Sequence, residues 1–264
     1  MSTKIRSGLG KAEFPVKDDT TAAAADLQAG LSRLAGLVAD SLGLPQVLAE
    51  VAGSAVRAIP GADGAGVTLL CGEPHDRTVV ARAASVPFVT EVDAIQYQTL
   101  SEGPGLTAVE LRRAVWSGSL GGDRSWPRFG PRVGRMGVHS ALALPLTVAD
   151  QVVGAITVYA YGKDSFGGHA AEFGELFAKP AAVAVHNARI LADALTLTDQ
   201  LRAALSTRPV IDQAIGIIRS RTGRSAAEAF AQLRAVSQAE QRKLAEVAER
   251  VVDEAVRRAR LRPR

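Results

Sequence analysis

The 264-residue chain lacks most of the parts that chemistry at a fixed site requires. It has one cysteine, Cys71, so no intrachain disulfide can form, and a cytoplasmic location is expected. Its four histidines, His75, His139, His169 and His186, have no metal-ligand spacing, so no metal site is expected. No glycine-rich phosphate loop and no nucleophile–base set is present. Glu102 and Asp123 form the one imaginable acid–base pair, and a turn anchor and a helix cap are simpler roles for them. An enzyme is therefore not expected. Aromatics are 5% of the residues, which leaves Ala, Val, Leu and Ile to build the core. No apolar run reaches the roughly 18 residues of a membrane span. Residues 1–20 mix Lys, Glu and Asp with Gly and Pro; with no apolar stretch of the signal-peptide kind, they read as a mobile tail.

What is present is a globular composition, 47% hydrophobic and 22% charged, with an uneven charge distribution. Residues 195–264 hold 14 Lys+Arg against 8 Asp+Glu; residues 1–194 hold 17 against 19. The basic excess sits wholly in the last quarter of the chain. That is the electrostatic footprint of a phosphate-backbone binder, and equally of an Arg-rich solvated surface.

Helical spacing over 21–42 and 46–58 gives way to short apolar runs at 65–70 and 78–84, which read as a strand pair. Residues 88–98 and 106–113 read as helical, and 114–117 as a short strand. Residues 118–137 form a long Gly-, Pro- and Arg-rich loop. The strongest hairpin signal joins Ser140–Leu146 to Val152–Tyr159 through a turn at Ala149-Asp150-Gln151. A long helix then runs from about Ala170 to beyond Leu205, with Pro180 expected to kink or restart it. Antiparallel strands flanked by helices mean an α+β sheet domain over 21–192. A connecting helix over 183–206 leads to a small all-α three-helix module over 195–257 and a basic tail, 258–264. On the connecting helix Val183, Ile190, Leu197 and Ala204 recur every seven residues, with Leu201 near the complementary position. This spacing suits a two-helix seam and so a homodimer, although an amphipathic helix packed on its own sheet has similar spacing.

Several blocks in this module occur in a specific order: Leu201-Arg-Ala-Ala-Leu205, Arg208-Pro-Val-Ile-Asp-Gln-Ala214, Gly216-Ile-Ile218, Ala227-Glu-Ala-Phe230, Leu233-Arg234, Ser237-Gln238 and Leu244-Ala-Glu-Val-Ala248. With Glu102-Gly-Pro104, Trp126-Pro-Arg-Phe129, Gly137-Val-His-Ser140, Leu144-Pro-Leu146 and Gly154-Ala-Ile156 upstream, the chain resembles bacterial regulators that join a GAF sensor domain to an ANTAR RNA-binding domain. The resemblance implies a GAF-like antiparallel sheet and a dimer that holds paired hairpins in nascent transcripts. An overlapping terminator then cannot form, and the GAF domain gates this through the connecting helix. Implied partners are structured RNA, a second copy of the chain and an upstream signalling protein; no membrane and no identified cofactor is implied, beyond an unknown small-molecule ligand of the sensor. Two positions depart from the family pattern. Ile215 stands where ANTAR domains usually have Lys, which removes a charge, and Gly105 stands where GAF relatives often have Cys, which excludes thiol-based sensing by that loop.

Reading RNA loops needs cations for phosphates and polar groups for base edges. The residues that offer these are Arg208, Arg219, Arg221, Arg234, Ser237, Gln238, Arg242 and Lys243, with Arg224 beside them. The small Ala214 and Gly216 allow close approach of RNA or, alternatively, tight helix packing. Ile211, Ile215, Ile218, Phe230, Leu233, Leu244, Val247 and Val251 are expected in the module core; with Phe230 there, no aromatic stacking platform remains. In the sensor, Tyr97, Trp116, Trp126 and Phe129 are candidates either for a ligand pocket on one sheet face or for core. Two other functions stay open: a protein-binding adaptor, and a DNA-binding regulator whose recognition helix would carry Arg234 as its one base-reading cation.

Overall fold

The computed structural model describes residues 20–37, 42–72 and 77–260, and within helix Gly168–Thr222 the side chains of 203–207 are not described. The expected mobile tail before residue 20, His75, the end of the basic tail at 261–264 and the Ala204 side chain lie outside the described residues. No described helix is long and apolar enough to cross a membrane. The chain divides into two compact units, Met1–Leu191 and Ala192–Arg264.

The first unit is α+β. Its elements are α1 (Thr20–Leu37), α2 (Leu44–Ala58), β1 (Gly64–Cys71), β2 (Thr78–Ala84), α3 (Pro87–Ala94), a π-helical turn (Ile95–Leu100), α4 (Pro104–Leu111), β3 (Val115–Ser117), α5 (Phe129–Gly134), β4 (Ser140–Val148), β5 (Gln151–Ala160) and the start of α6 (Gly168–Thr222). The five strands form one antiparallel sheet in the order β2-β1-β5-β4-β3. The β4–β5 hairpin is tighter than the sequence suggested. Gln151 pairs with Val148, and only Ala149 (φ 45°) and Asp150 (φ 64°) turn, both left-handed, as a two-residue turn between right-twisted strands requires.

Alternation sorts the sheet into two faces. Val67, Leu69, Leu142, Leu144, Ile156 and Val158 face a core closed by α1, α2 and the first turns of α6, through Leu34, Leu48, Phe177, Ala181 and Val185. The opposite face carries Tyr159 and Ala141, packed under α3 and α5 by Val89, Val92, Trp126, Phe129 and Val133. α6 continues through Pro180 and does not restart there. Proline there removes one backbone bond. Burial of Phe177, Ala178, Ala181, Ala182 and Val185 on either side offsets that loss by fixing the helix against the sheet.

The second unit comprises the end of α6, α7 (Ala226–Glu240) and α8 (Leu244–Arg260). Ala214, Ile218, Ala229, Leu233, Val247 and Ala248 are its buried centre, with Ile211, Ile215, Leu244 and Val251 packed around them. Phe230 does not belong to this core: it is 40% exposed. α7 instead turns Ala229 and Leu233 inward, and a residue one step from Ala229 is rotated about 100° off that face. The small Ala229 side chain allows the helices to meet closely, so no ring is needed to fill the gap.

Candidate nucleic-acid interface

The three-helix unit is pinned at both turns. Gly223 (φ 71°) ends α6, its N–H donating to the Arg219 carbonyl at 2.9 Å. Ser225 begins α7 with a capping box: its backbone N–H donates to Glu228 Oε2 at 2.8 Å, and Glu228 N–H donates back to Ser225 Oγ at 3.3 Å. The Ser225 N–H and the Ser225 hydroxyl, which also donates to Glu228 Oε2 at 2.8 Å, hold the Glu228 carboxyl below its ordinary value. At the other turn, Arg242 N–H donates to the Ser237 carbonyl at 3.1 Å and Ser237 Oγ donates to the Arg242 carbonyl at 2.6 Å.

This geometry separates the expected RNA-contacting residues into groups. Ala214 is fully buried in the helical core, where it serves close packing and has no surface to offer RNA. Ser237 is occupied in the α7–α8 turn. Arg242 pairs with Glu246 at 3.2 Å, an exposed contact worth little. Arg224 reaches Gln232 at 3.1 Å. The side chains of Arg208, Arg219, Arg221, Arg234, Gln238 and Lys243 are exposed, with no hydrogen-bond or ion-pair partner among the described residues. Arg219 and Arg221 stand at the exit of α6. Arg234 and Gln238 share a face of α7 that ends at the turn carrying Arg242 and Lys243. Phe230 lies four residues before Arg234, so an exposed ring and a free guanidinium occupy one side of α7. Its apolar character suggested burial; only the packing of α7 shows the ring outside.

Between α6 and α8 runs an open groove of about 470 Å³, lined by Gln213, Gly216, Ile217, Ser220, Arg221, Val252 and Ala255. Gly216 is exposed, and a Cβ added there would meet nothing within 4 Å. The glycine is thus not demanded by internal packing. Ile215, half-buried beside it, packs against the module core.

In the sheet domain the four aromatics do not line one pocket. Trp116 pairs with Leu142, so it stands on the helix-core side of the sheet, at an edge, 46% exposed. Trp126 and Phe129 are buried on the other side, and Trp126 Nε1 donates to Thr107 Oγ1 at 2.9 Å. Glu102 accepts from the N–H groups of Arg128 and Phe129 at 2.7 and 2.8 Å, and Asp123 accepts from Ser125 N–H at 2.9 Å; both carboxylates are backbone anchors. Beneath α3 the sheet face holds a polar cluster. Tyr159 donates to Asp93 Oδ1 at 2.9 Å, Gln96 Nε2 donates to Tyr159 Oη at 3.3 Å, and Gly105 N–H donates to Gln96 Oε1 at 2.7 Å. Burial pushes the Asp93 carboxyl up to about 7, against the Tyr159 hydrogen bond and the Arg82 charge. Gly105 is dictated by space, since a Cβ there would lie 2.2 Å from the Tyr97 hydroxyl. Tyr97 packs on Leu70, Val109 and Ala155, beside the cluster that holds Trp126, Phe129 and Tyr159. Among the described residues no group of His, Cys, Asp and Glu can hold a metal ion.

On α6, Val183, Ile190, Leu197 and Leu201 are all exposed large apolar residues. Leu176, seven residues before Val183, extends the row and was not singled out from the sequence.

A family model for the GAF domain matches residues 41–186, and one for the ANTAR domain matches residues 199–252. Among solved structures, the GAF domain of a phosphoenolpyruvate-protein phosphotransferase from Coxiella burnetii is similar at 18% identity and a TM-score of 0.49, over 64% of this chain and 98% of that one. Free methionine-R-sulfoxide reductase from Neisseria meningitidis is similar at 15% identity and a TM-score of 0.48, over 68% and 97%. Identities this low say nothing about ligand or activity. No curated protein matches the chain. The match over more than half of the chain, on a five-stranded antiparallel sheet flanked by helices and followed by a basic helical unit, places it: the protein belongs to the GAF domain family and carries an ANTAR domain after its sensor-type sheet.

Proposed function

We propose that this protein is a sensor-regulated RNA-binding antiterminator and not an enzyme. The helical unit binds paired hairpins in a nascent transcript and prevents an overlapping terminator from forming. The observation that carries this reading is the set of exposed cations without partners among the described residues, Arg208, Arg219, Arg221, Arg234 and Lys243, on a unit that matches the ANTAR domain. Cations without internal partners can release counterions from RNA at no cost in broken ion pairs. Phe230 supplies a stacking surface beside Arg234. The groove floored by Gly216 suits a flat base extruded from a loop, with Gln213 and Ser220 for its edge and Arg221 for its phosphate.

The row Leu176, Val183, Ile190, Leu197 and Leu201 supports the reading as a dimer seam, since a monomer leaves all five in water. The decisive experiment is a salt-dependent anisotropy titration of paired-hairpin RNA, with duplex DNA and scrambled RNA alongside. Selective hairpin binding that weakens steeply with salt is expected. Preference for duplex DNA would make the protein a DNA-binding regulator. Absence of nucleic-acid binding in low salt, with and without candidate sensor ligands, would leave a protein-binding adaptor.

A further inference from the structure

A second open groove lies on the surface of the sheet domain, away from the polar cluster under α3. It has a volume of about 510 Å³ and sits where β3 leaves the sheet, β4 enters it and β5 ends. Its walls are fixed by backbone. Leu120 N–H donates to the His139 carbonyl at 2.7 Å, His139 N–H to the Ala160 carbonyl at 2.9 Å, and Asp164 N–H to the Gly118 carbonyl at 2.9 Å. Ser140 Oγ donates to the Gly162 carbonyl at 2.6 Å. Helix α5 meets the 118–122 loop backbone to backbone, because a Cβ on Gly130 would lie 2.1 Å from the Leu120 carbonyl oxygen.

Three nitrogen-bearing side chains converge here from three segments: Arg135 after α5, His139 at the entry to β4 and Lys163 after β5. The Ser119 hydroxyl joins them. None of these side chains has a hydrogen-bond or ion-pair partner among the described residues. The nearby carboxylates do not line the cavity: Asp123 accepts from Ser125 N–H, and Asp164 lies against Gly118. A cationic pocket without its own counter-charge is notable in this part of the chain, where acidic residues outnumber basic ones, 19 to 17. Cations brought together without partners repel one another, and that cost is relieved when an anion sits among them.

We propose that this cavity is a binding site for a small phosphorylated molecule of up to mononucleotide size. Arg135 and Lys163 hold the phosphate, Ser119 and His139 donate to its remaining oxygens, and the exposed Gly121–Gly122 backbone gives the rest of the molecule room to lie flat. A bidentate guanidinium and a point-charge ammonium are the usual pair for this chemistry. RNA phosphates share that chemistry, so the test separates the two sources.

The experiment is calorimetric titration of the full chain with 5′-AMP, 5′-GMP and inorganic phosphate. The same titrations are run on Arg135→Ala, Lys163→Ala and the double variant, with paired-hairpin RNA binding measured on each. Both residues are exposed and unpartnered, so the thermal midpoint of each variant is expected to match the parent. Saturable binding of at least one mononucleotide is expected, weakened about tenfold by each substitution, with RNA affinity unchanged. No saturable binding of any probe, or equal affinity in the double variant, overturns the proposal. So does loss of RNA binding in the double variant without mononucleotide binding, which would make the cavity an RNA-backbone contact. Failure of the parent to bind RNA bears only on the antiterminator reading and leaves this result intact.

Discussion

Gly216 offers a substitution whose effects on stability and on binding should have opposite signs. Glycine in a helix interior costs about 0.5–1 kcal/mol relative to alanine, because its backbone loses more freedom on folding. At Gly216 a new Cβ meets nothing within 4 Å, so no steric term opposes the gain. Gly216→Ala should therefore raise the melting temperature of the C-terminal unit by roughly 2–8 °C, given the entropy of unfolding of a unit this small. Gly216→Leu keeps most of that gain, since leucine is also a strong helix former. Its side chain, however, enters the groove bounded by Gln213, Ser220, Arg221, Val252 and Ala255. If an RNA base seats there, losing its hydrogen bonds to Gln213 and Ser220, at about 0.5–1.5 kcal/mol each, weakens binding roughly 5- to 150-fold. No cation is removed, so the slope of log affinity against log salt should stay as in the parent. The assays are thermal unfolding and hairpin-RNA anisotropy at several salt concentrations. A stable Gly216→Leu variant with parental affinity removes the groove from the interface. A destabilised variant would mean instead that Gly216 serves packing.

Phe230→Ala and Arg234→Ala should each weaken RNA binding about tenfold while leaving the thermal midpoint nearly unmoved, because both side chains point out of the core; only Arg234→Ala should reduce the salt slope, by roughly one contact. Asp93 gives a pH signature. Burial raises its carboxyl to about 7 in the folded protein from an ordinary value of 3.8, so the folded state holds the extra proton and stability falls as pH rises between those values. The charged and titratable groups facing it are Tyr159, Arg82 and Tyr97. Asp93→Asn, whose amide oxygen still accepts from Tyr159, should flatten that slope in denaturation measured from pH 4 to 8, and an unchanged slope would put the proton elsewhere. Ala149 holds φ 45° in the β4–β5 turn, a conformation costing a non-glycine residue about 1 kcal/mol, so Ala149→Gly should not destabilise the fold and should raise the unfolding midpoint in urea. Ile190→Lys combined with Leu197→Lys should convert a dimer to monomer in light scattering without loss of helicity by circular dichroism; a parent that is already monomeric contradicts the seam.

Much of the fold was legible because local chemistry and periodicity agree with it. The β4–β5 hairpin, the helical run after Gly168 and the ANTAR blocks all lie in segments where pattern and turn residues point the same way. What residue type alone left open or misplaced shares one cause: the roles of Pro180, Phe230, Trp116 and Ala214 follow from what packs beside them. A proline is carried inside α6 because its neighbours are buried against the sheet. The Phe230 ring is turned outward because Ala229 takes the inward position. Strand register puts Trp116 on the face opposite Trp126 and Phe129. Close helix contact consumes Ala214, which sequence alone left open between RNA approach and packing.

The sequence by itself determined the element types, the two-part organisation, the basic character of the last quarter and the family, because periodicity, charge and ordered motifs are properties of the linear chain. Tertiary structure alone decided which cations remain unpartnered, which faces of α6 and α7 stay in water, and that Arg135, His139 and Lys163 meet around one cavity. Those outcomes depend on contacts between residues far apart in the chain, and the energy that fixes them arises only when the helices and strands pack.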